Sequence, residues 1–265
     1  MGNYEKTLLL PTGVFEMTPE GTALVRRTEG IALDVFRLWG YQEVRTPSIE
    51  YVETMSLGLA GEELDMAFKL VDRGTGKMML LRSDVTPQVA RMASMAMSET
   101  PLPLRVCYVA DVYRHPDDPS HPRRELIQAG VELVGLEDPQ ADAEAIALAV
   151  RGLEEMGLRQ VRRSVGQVRF AGGLFKEAEL DRKIEDSIVR AAVLKDRSGM
   201  ERILDQAGVR KDIREAILSL ARLSGGMEVL DQAGQTVRGD ECGAALKNLR
   251  EVLELAMSYG VRDQQ

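Results

Sequence analysis

Apolar residues recur along this chain with two different periods, and each change of period marks an element. Thr18-Pro19-Glu20 combines a hydroxyl cap, a proline suited to the first helical position and an early acid, so a helix is predicted to open there. Leu24, Ile31, Val35 and Leu38 then follow in helical register with Thr28, and Gly40 stands where such a helix stops. One face of this helix is expected to pack on a core. YQEVRTPSIEY (41–51) reads as an extended strand, which Pro47 restricts to an edge or an interface. The run FKLVDRGTGKMMLL (68–81) places two apolar segments around a turn, the pattern of a hairpin. It leads directly into LRSDVTPQVARMASMA (81–96), where Thr86-Pro87 repeats the cap-then-proline start of a helix.

RVCYVADVYRH (105–115) and RRELIQAGVELVG (123–135) are two β-rich runs. The HPDDPSHPR segment between them carries Pro116, Pro119 and Pro122 and cannot be regular, which predicts a hairpin with a long loop. Alternation in the second strand puts Ile127, Ala129, Val131 and Leu133 on a core face and Gln128, Gly130 and Glu132 on a polar one. Gly130 removes a side chain where another group can approach the sheet, so this face reads as the floor of a pocket. A helix is predicted from Asp138-Pro139 through Ile146, Val150 and Leu153 to Gly157, and VGQVRF (165–170) reads as a strand. Residues 176–260 hold charged amphipathic stretches, among which Leu246, Leu249, Leu253, Leu255 and Met257 read as a core stripe rather than a partner groove. The expected architecture is an α+β domain over residues 1–172 and a mostly helical region over 173–265.

Composition narrows the function classes. With 265 residues the chain can bury a sizeable core, and its two cysteines, Cys107 and Cys242, exclude a disulfide framework and offer no Cys-x-x-Cys zinc motif. A reducing, cytoplasmic setting is expected, because no apolar run approaches the ~18 residues of a membrane span and MGNYEKTLLLPTG lacks the form of a cleavable leader. There are 34 basic and 42 acidic side chains, a net charge of −8, and no Lys/Arg-dense stretch stands out, so RNA is not an expected partner. Gly74 and Gly76 do not make a phosphate loop: Val71 stands where a Walker loop needs its first glycine, and Met78 where it needs Ser or Thr. His115 and His121 are too few for a metal site or a hydrolase triad, and no metal or cofactor is expected.

The remaining chemistry lies in Asp84, Thr86, Gln128 and Glu132, with Arg114 ending the strand paired to the one carrying Gln128. Carboxylates, an amide and a hydroxyl together suit an ammonium or an imidazole N–H, and Arg114 suits a carboxylate or phosphate. Spacing alone leaves structural roles equally open: Asp84 and Thr86 as helix caps, Gln128 and Glu132 as a solvated sheet face. Arg114 taken by itself reads more readily as half of a surface ion pair.

These segments resemble a known family. GYQEVRTPSIEY is similar to motif 1 of class II aminoacyl-tRNA synthetases, with Pro47 at the motif's proline position. RVCYVADVYRHPDDPSHPRRELIQAGVELVG resembles motif 2 of the histidyl branch, and LRSDVTPQVAR resembles the histidine-loop segment preceding it. Within that branch the likeness is greatest to the regulatory-subunit family of ATP phosphoribosyltransferase, synthetase-like paralogues that partner a short catalytic subunit in histidine biosynthesis. It spans roughly residues 8 to 160 and continues weakly through VGQVRFAGGLF.

The resemblance implies a class II synthetase-like antiparallel sheet flanked by helices. It implies a histidine site in which Asp84, Thr86 and Gln128 surround the amino group, Glu132 faces an imidazole nitrogen and Arg114 matches the motif 2 arginine. It further implies histidine as effector, a homodimer formed through the motif 1 region and the helix Pro19–Trp39, and no catalysis by the chain itself. The departures agree with that last point. Pro116 replaces the glutamate two residues after the motif 2 arginine, Pro122 replaces a loop arginine used on ATP phosphates, and motif 3 has no counterpart before Gln265. Arg151-Gly152-Leu153 is followed by Glu154-Glu155 rather than the tyrosines of histidyl synthetases. No anticodon-binding domain is matched, and tRNA is not an expected ligand. The alternative reading is a histidyl-tRNA synthetase catalytic fragment; a further one is a binding module that keeps the fold for an unrelated protein partner.

Overall fold

The computed structural model describes residues 10–59, 61–116, 122–237 and 239–262. The chain divides into two compact units, Met1–Glu137 with Leu148–Arg159, and Asp138–Ala147 with Gln160–Gln265.

The first unit opens with α1, Pro19–Leu38, where the Thr18 hydroxyl accepts a hydrogen bond from the Gly21 N–H at 3.3 Å. Its buried residues are Ala32, Val35 and Phe36, whereas Leu24 and Leu38 are 66% and 85% exposed. The predicted apolar face is therefore rotated, because Ala32 and Phe36 flank Val35 on the side that meets the sheet. The YQEVRTPSIEY segment forms two short strands rather than one. β1, Gln42–Glu43, and β2, Ile49–Tyr51, lie either side of Pro47 and join different sheets. Two short helices, α2 (Val52–Met55) and α3 (Gly61–Asp65), precede the hairpin of β3, Lys69–Val71, and β4, Met78–Leu81. Asp72 makes that turn: its carboxylate accepts from the Gly74 N–H at 3.0 Å and from the Thr75 hydroxyl at 2.5 Å.

Helix α4, Thr86–Ser94, follows. Its capping residue is Val85, one position earlier than the sequence suggested, with Thr86 and Pro87 already inside the helix. Strands β5, Leu104–Tyr113, and β6, Glu125–Val134, are the predicted hairpin, antiparallel from Leu104↔Val134 to Tyr113↔Glu125. Residues 117–121 of their connection, including Pro119 and His121, lie outside the described residues. The three-stranded sheet β1-β5-β6 contains one parallel pair, β1 with β5, and the second sheet runs β2-β4-β3.

Both faces of β5 and β6 carry packing, but the core face expected for β6 is covered only at its Val131–Leu133 end, and Ile127 and Ala129 are exposed. Cys107, Val109, Val131 and Leu133 pack with Ala32 and Phe36 of α1 and with Leu148, which lies on α5, Pro139–Glu155. On the other face Val106, Tyr108 and Val112 pack with Val85 and Val89 at the start of α4. The polar face predicted for β6 thus lies under a helix end and is partly covered by it.

The second unit is helical: α6 (Val168–Glu177), α7 (Arg182–Val193), α8 (Arg197–Gln206), α9 (Lys211–Ser219), a 3₁₀ turn (Leu220–Arg222), α10 (Glu228–Thr236) and α11 (Asp240–Ser258). VGQVRF is not a strand. Gln167 caps α6, its side chain accepting from the Arg169 N–H at 3.2 Å, and Phe170, Gly173, Leu174 and Phe175 bury one face at helical spacing. Helix α6 passes through residue 172 without a break. In α11 the buried stripe is Cys242, Ala245, Val252 and Ala256, with Leu246 and Leu255 at its margin and Met257 40% exposed. The long leucines that suggested the stripe flank small residues that do the close packing. Among the described residues no helix is long and apolar enough to cross a membrane.

Candidate functional site

The Ser83–Thr86 turn, between β4 and α4, hangs over β6. A helix start exposes N–H groups that need partners, and two side chains supply them. Asp84 Oδ1 accepts from the Thr86 N–H at 2.8 Å, and Gln128 Oε1 accepts from the Val85 N–H at 3.2 Å. The Gln128 amide then donates to Asp84 Oδ2 at 3.4 Å, which fixes which way the amide points. Arg114, at the end of β5, donates through Nε to the Ser83 carbonyl at 2.7 Å, and its Nη2 lies 3.5 Å from Asp84 Oδ2. Side-chain exposures of 37% for Arg114 and 24% for Asp84 leave both reachable by a ligand.

Glu132 lies two residues beyond Gly130 on the same face of β6. Its Oε1 accepts from the Tyr108 hydroxyl at 3.4 Å, and the Thr86 hydroxyl stands beside both groups. Burial pushes the Glu132 carboxyl up from its ordinary value; the bonds from Thr86 and Tyr108 pull it back, and the neighbouring Asp84 charge adds to the rise. Burial also pushes the Tyr108 phenol up to about 12, so the hydroxyl is a donor at any physiological pH. Ser83 is 3% exposed, and its Oγ has no hydrogen-bond partner among the described residues.

All five residues singled out from the sequence, Asp84, Thr86, Arg114, Gln128 and Glu132, therefore meet in one place. Asp84 and Gln128 also do part of the capping work that spacing alone left open. Gly130 does accommodate a close approach, but the group that uses it is internal. A Cβ there would lie 2.5 Å from Cζ and Oη of Tyr108, whose ring crosses the strand at that point. Tyr108 was missed by sequence reasoning. The signal was its place directly opposite Gly130, which requires knowing the register of β5 against β6.

A second polar group lies along the body of α4. The Gln88 amide, wholly buried, donates to Glu50 Oε1 at 2.8 Å and to the Pro47 carbonyl at 2.7 Å, and accepts from the Thr46 hydroxyl at 2.6 Å. Arg91 forms a two-pronged pair with Glu50, with Nη1 to Oε2 at 2.7 Å and Nη2 to Oε1. Arg82 closes the group by donating to the Thr46 and Asp111 carbonyls at 2.8 and 2.6 Å. These bonds clamp the Pro47 segment to the helix whose first turn belongs to the candidate site. His115 stacks on Phe68 with ring centroids 4.8 Å apart, and no group of three or more potential metal ligands occurs among the described residues.

A protein named ATP phosphoribosyltransferase regulatory subunit from Syntrophotalea carbinolica is 36% identical over 255 residues, 96% of this chain and 60% of that protein. The protein of the same name from Geobacter sulfurreducens is 36% identical over 254 residues, 96% of this chain and 58% of its own length. The chain thus spans about 60% of the length of these relatives. A crystal structure described as an ATP phosphoribosyltransferase regulatory subunit/histidyl-tRNA synthetase from Bacillus halodurans superposes with a TM-score of 0.85 at 26% identity, covering 96% of this chain and 65% of that one. The histidyl-tRNA synthetase of Nostoc shares the fold, with a TM-score of 0.70 at 17% identity over 97% of this chain and 59% of its own. The sequence profile described as Histidyl-tRNA synthetase matches residues 13–264, and the chain belongs to that family.

Proposed function

We propose that this chain is a non-catalytic subunit that binds free histidine and regulates a short-form ATP phosphoribosyltransferase catalytic subunit, raising its turnover and conveying feedback from the end product of the pathway. The observation that carries the reading is the convergence of Asp84, Thr86, Gln128 and Glu132 on one spot beside Arg114. In this reading Asp84, Thr86 and Gln128 receive the ammonium group, because each offers an oxygen acceptor and Asp84 adds a full negative charge. Glu132 receives an imidazole N–H, and Arg114 sets a cation beside the site. The names of the curated relatives support the assignment to the transferase, and Pro116 and Pro122 support a loss of adenylate chemistry because neither supplies charge where a synthetase uses it.

Regulation requires histidine to bind one state of the complex better than another, and such couplings are about 1–3 kcal/mol. The chain acts as a homodimer through the Pro47 segment and α1, in the cytoplasm, and without tRNA, to which a net charge of −8 is poorly suited. The test is to titrate the chain into a short catalytic subunit and follow turnover with and without histidine. Turnover is expected to rise with added chain and to fall roughly five-fold or more when histidine is present. Unchanged turnover at saturating chain would sink the regulatory reading, and histidine-dependent exchange of pyrophosphate into ATP would favour a synthetase instead.

A further inference from the structure

We propose that Tyr108 is a positioning residue for the ligand, its hydroxyl holding the Glu132 carboxylate so that an unengaged acceptor position faces the imidazole N–H. The inference rests on the histidine reading above and deepens it.

Three observations carry it. Tyr108 pairs directly with Gly130 across β5 and β6, and a Cβ at 130 would lie 2.5 Å from its ring, so only glycine lets the ring lie across β6. The ring is 3% exposed and packed with Val85, Val89, Val106 and Val112, which leaves it little freedom to turn. Past Gly130 on the same face stands Glu132, 3.4 Å from the hydroxyl. A carboxylate has roughly four acceptor positions. Tyr108 engages one of them and Thr86 stands beside the carboxylate, so the protein contacts on Glu132 do not use all four.

The hydroxyl has a second effect. Among the described residues Glu132 faces one other negative group, Asp84, which Arg114 and Gln128 hold in place, and both burial and that charge favour its neutral form. Donation from Tyr108 opposes them and keeps Glu132 an acceptor. Protonation would remove the charge of Glu132 and turn one of its oxygens into a donor, which weakens its hold on the ligand's N–H.

The test is calorimetry with free histidine on the full chain and on Tyr108→Phe, Glu132→Gln and the double variant, between about pH 5 and 8. Titration of the ligand itself is common to all four proteins and cancels in the comparison. Tyr108→Phe is expected to weaken binding roughly tenfold, to move the low-pH loss of binding to higher pH, and to cost nothing further when Glu132 is already Gln. Wild-type affinity and an unmoved pH profile in Tyr108→Phe, or an equal loss in the Glu132→Gln background, overturns the proposal. Failure of the wild-type chain to take up histidine at any pH overturns the histidine reading and this inference with it. Should Tyr108→Phe not fold, Gly130→Ala decides: it keeps the hydroxyl but drives a methyl into the ring, and an unmoved pH profile there would likewise overturn the role.

Discussion

Glu132 works against folding and for binding. Its carboxyl is pushed up by burial, so the folded chain holds that proton more tightly than the unfolded chain does. Where the folded state binds more protons, stability falls as pH rises, and the contribution of Glu132 is fully present below its ordinary value of 4.5 and lost as pH rises through the higher folded value. Glu132→Gln removes the charge at nearly constant shape. At neutral pH the variant is expected to unfold at a higher denaturant midpoint than the wild type, with the difference closing as pH approaches 4.5. Its histidine affinity should drop tenfold or more, because an amide cannot match a carboxylate as acceptor for an imidazole N–H. A variant less stable at neutral pH and fully competent for histidine would contradict both halves. Sequence patterning reached Glu132 because parity along a strand is a local property. It did not reach Tyr108, whose hydroxyl arrives from a different strand and whose importance is encoded only in the absent side chain of Gly130.

At the scale of elements, α4 does two jobs with one helix. Its first turn presents Thr86 to the site, with Asp84 in the turn just before it, while Gln88 and Arg91 along its body bind Glu50, Thr46 and Pro47. Nothing in local sequence marks Gln88 as buried, since its partners lie 38 to 42 residues away and a glutamine in a helix ordinarily faces water. Stretches whose partners are local are legible in the sequence, such as Thr18-Pro19, the turn around Asp72 and Asp138-Pro139. VGQVRF resembles a strand locally, but a glutamine cap and a helical burial pattern of four residues outweigh its two valines. The clamp predicts that Arg91→Met leaves Glu50, 6% exposed, as a buried carboxylate with only Gln88 as partner. Removing one member of a buried pair costs about 3–5 kcal/mol, and because Arg91 is 33% exposed the expected loss is about 2–3 kcal/mol in denaturant unfolding. Histidine binding by the folded fraction should also weaken, because α4 would no longer be anchored behind Asp84 and Thr86. A loss below about 0.5 kcal/mol would place the clamp among ordinary surface pairs.

For the whole molecule, the apolar surface of α1 decides between a monomer and a pair. Leu24 and Leu38 lie on nearly the same side of the helix, fourteen residues apart, with half-buried Ile31 midway between them. That stripe lies to one side of Ala32 and Phe36, which already pack within the unit; Val35, in the stripe's own register, is buried, while Leu24 and Leu38 are not, so the helix carries more apolar surface than its own core consumes. Ile49 and Tyr51 on β2 are also exposed, at 48% and 38%. Exposed apolar patches of this kind mark association surfaces, and the proposed partner is a second copy of the chain. Sedimentation equilibrium is then expected to show a dimer that dissociates on dilution. Leu38→Glu should leave folding unchanged, because the residue is 85% exposed in one copy. It should weaken the dimer tenfold or more, since burying a leucine is worth about 1.5–3 kcal/mol and each ~1.4 kcal/mol is a factor of ten in dissociation constant. A wild-type chain that stays monomeric at every concentration removes the twofold from the proposal. A dimer indifferent to Leu38→Glu moves the interface off α1 and leaves its outer stripe to another protein.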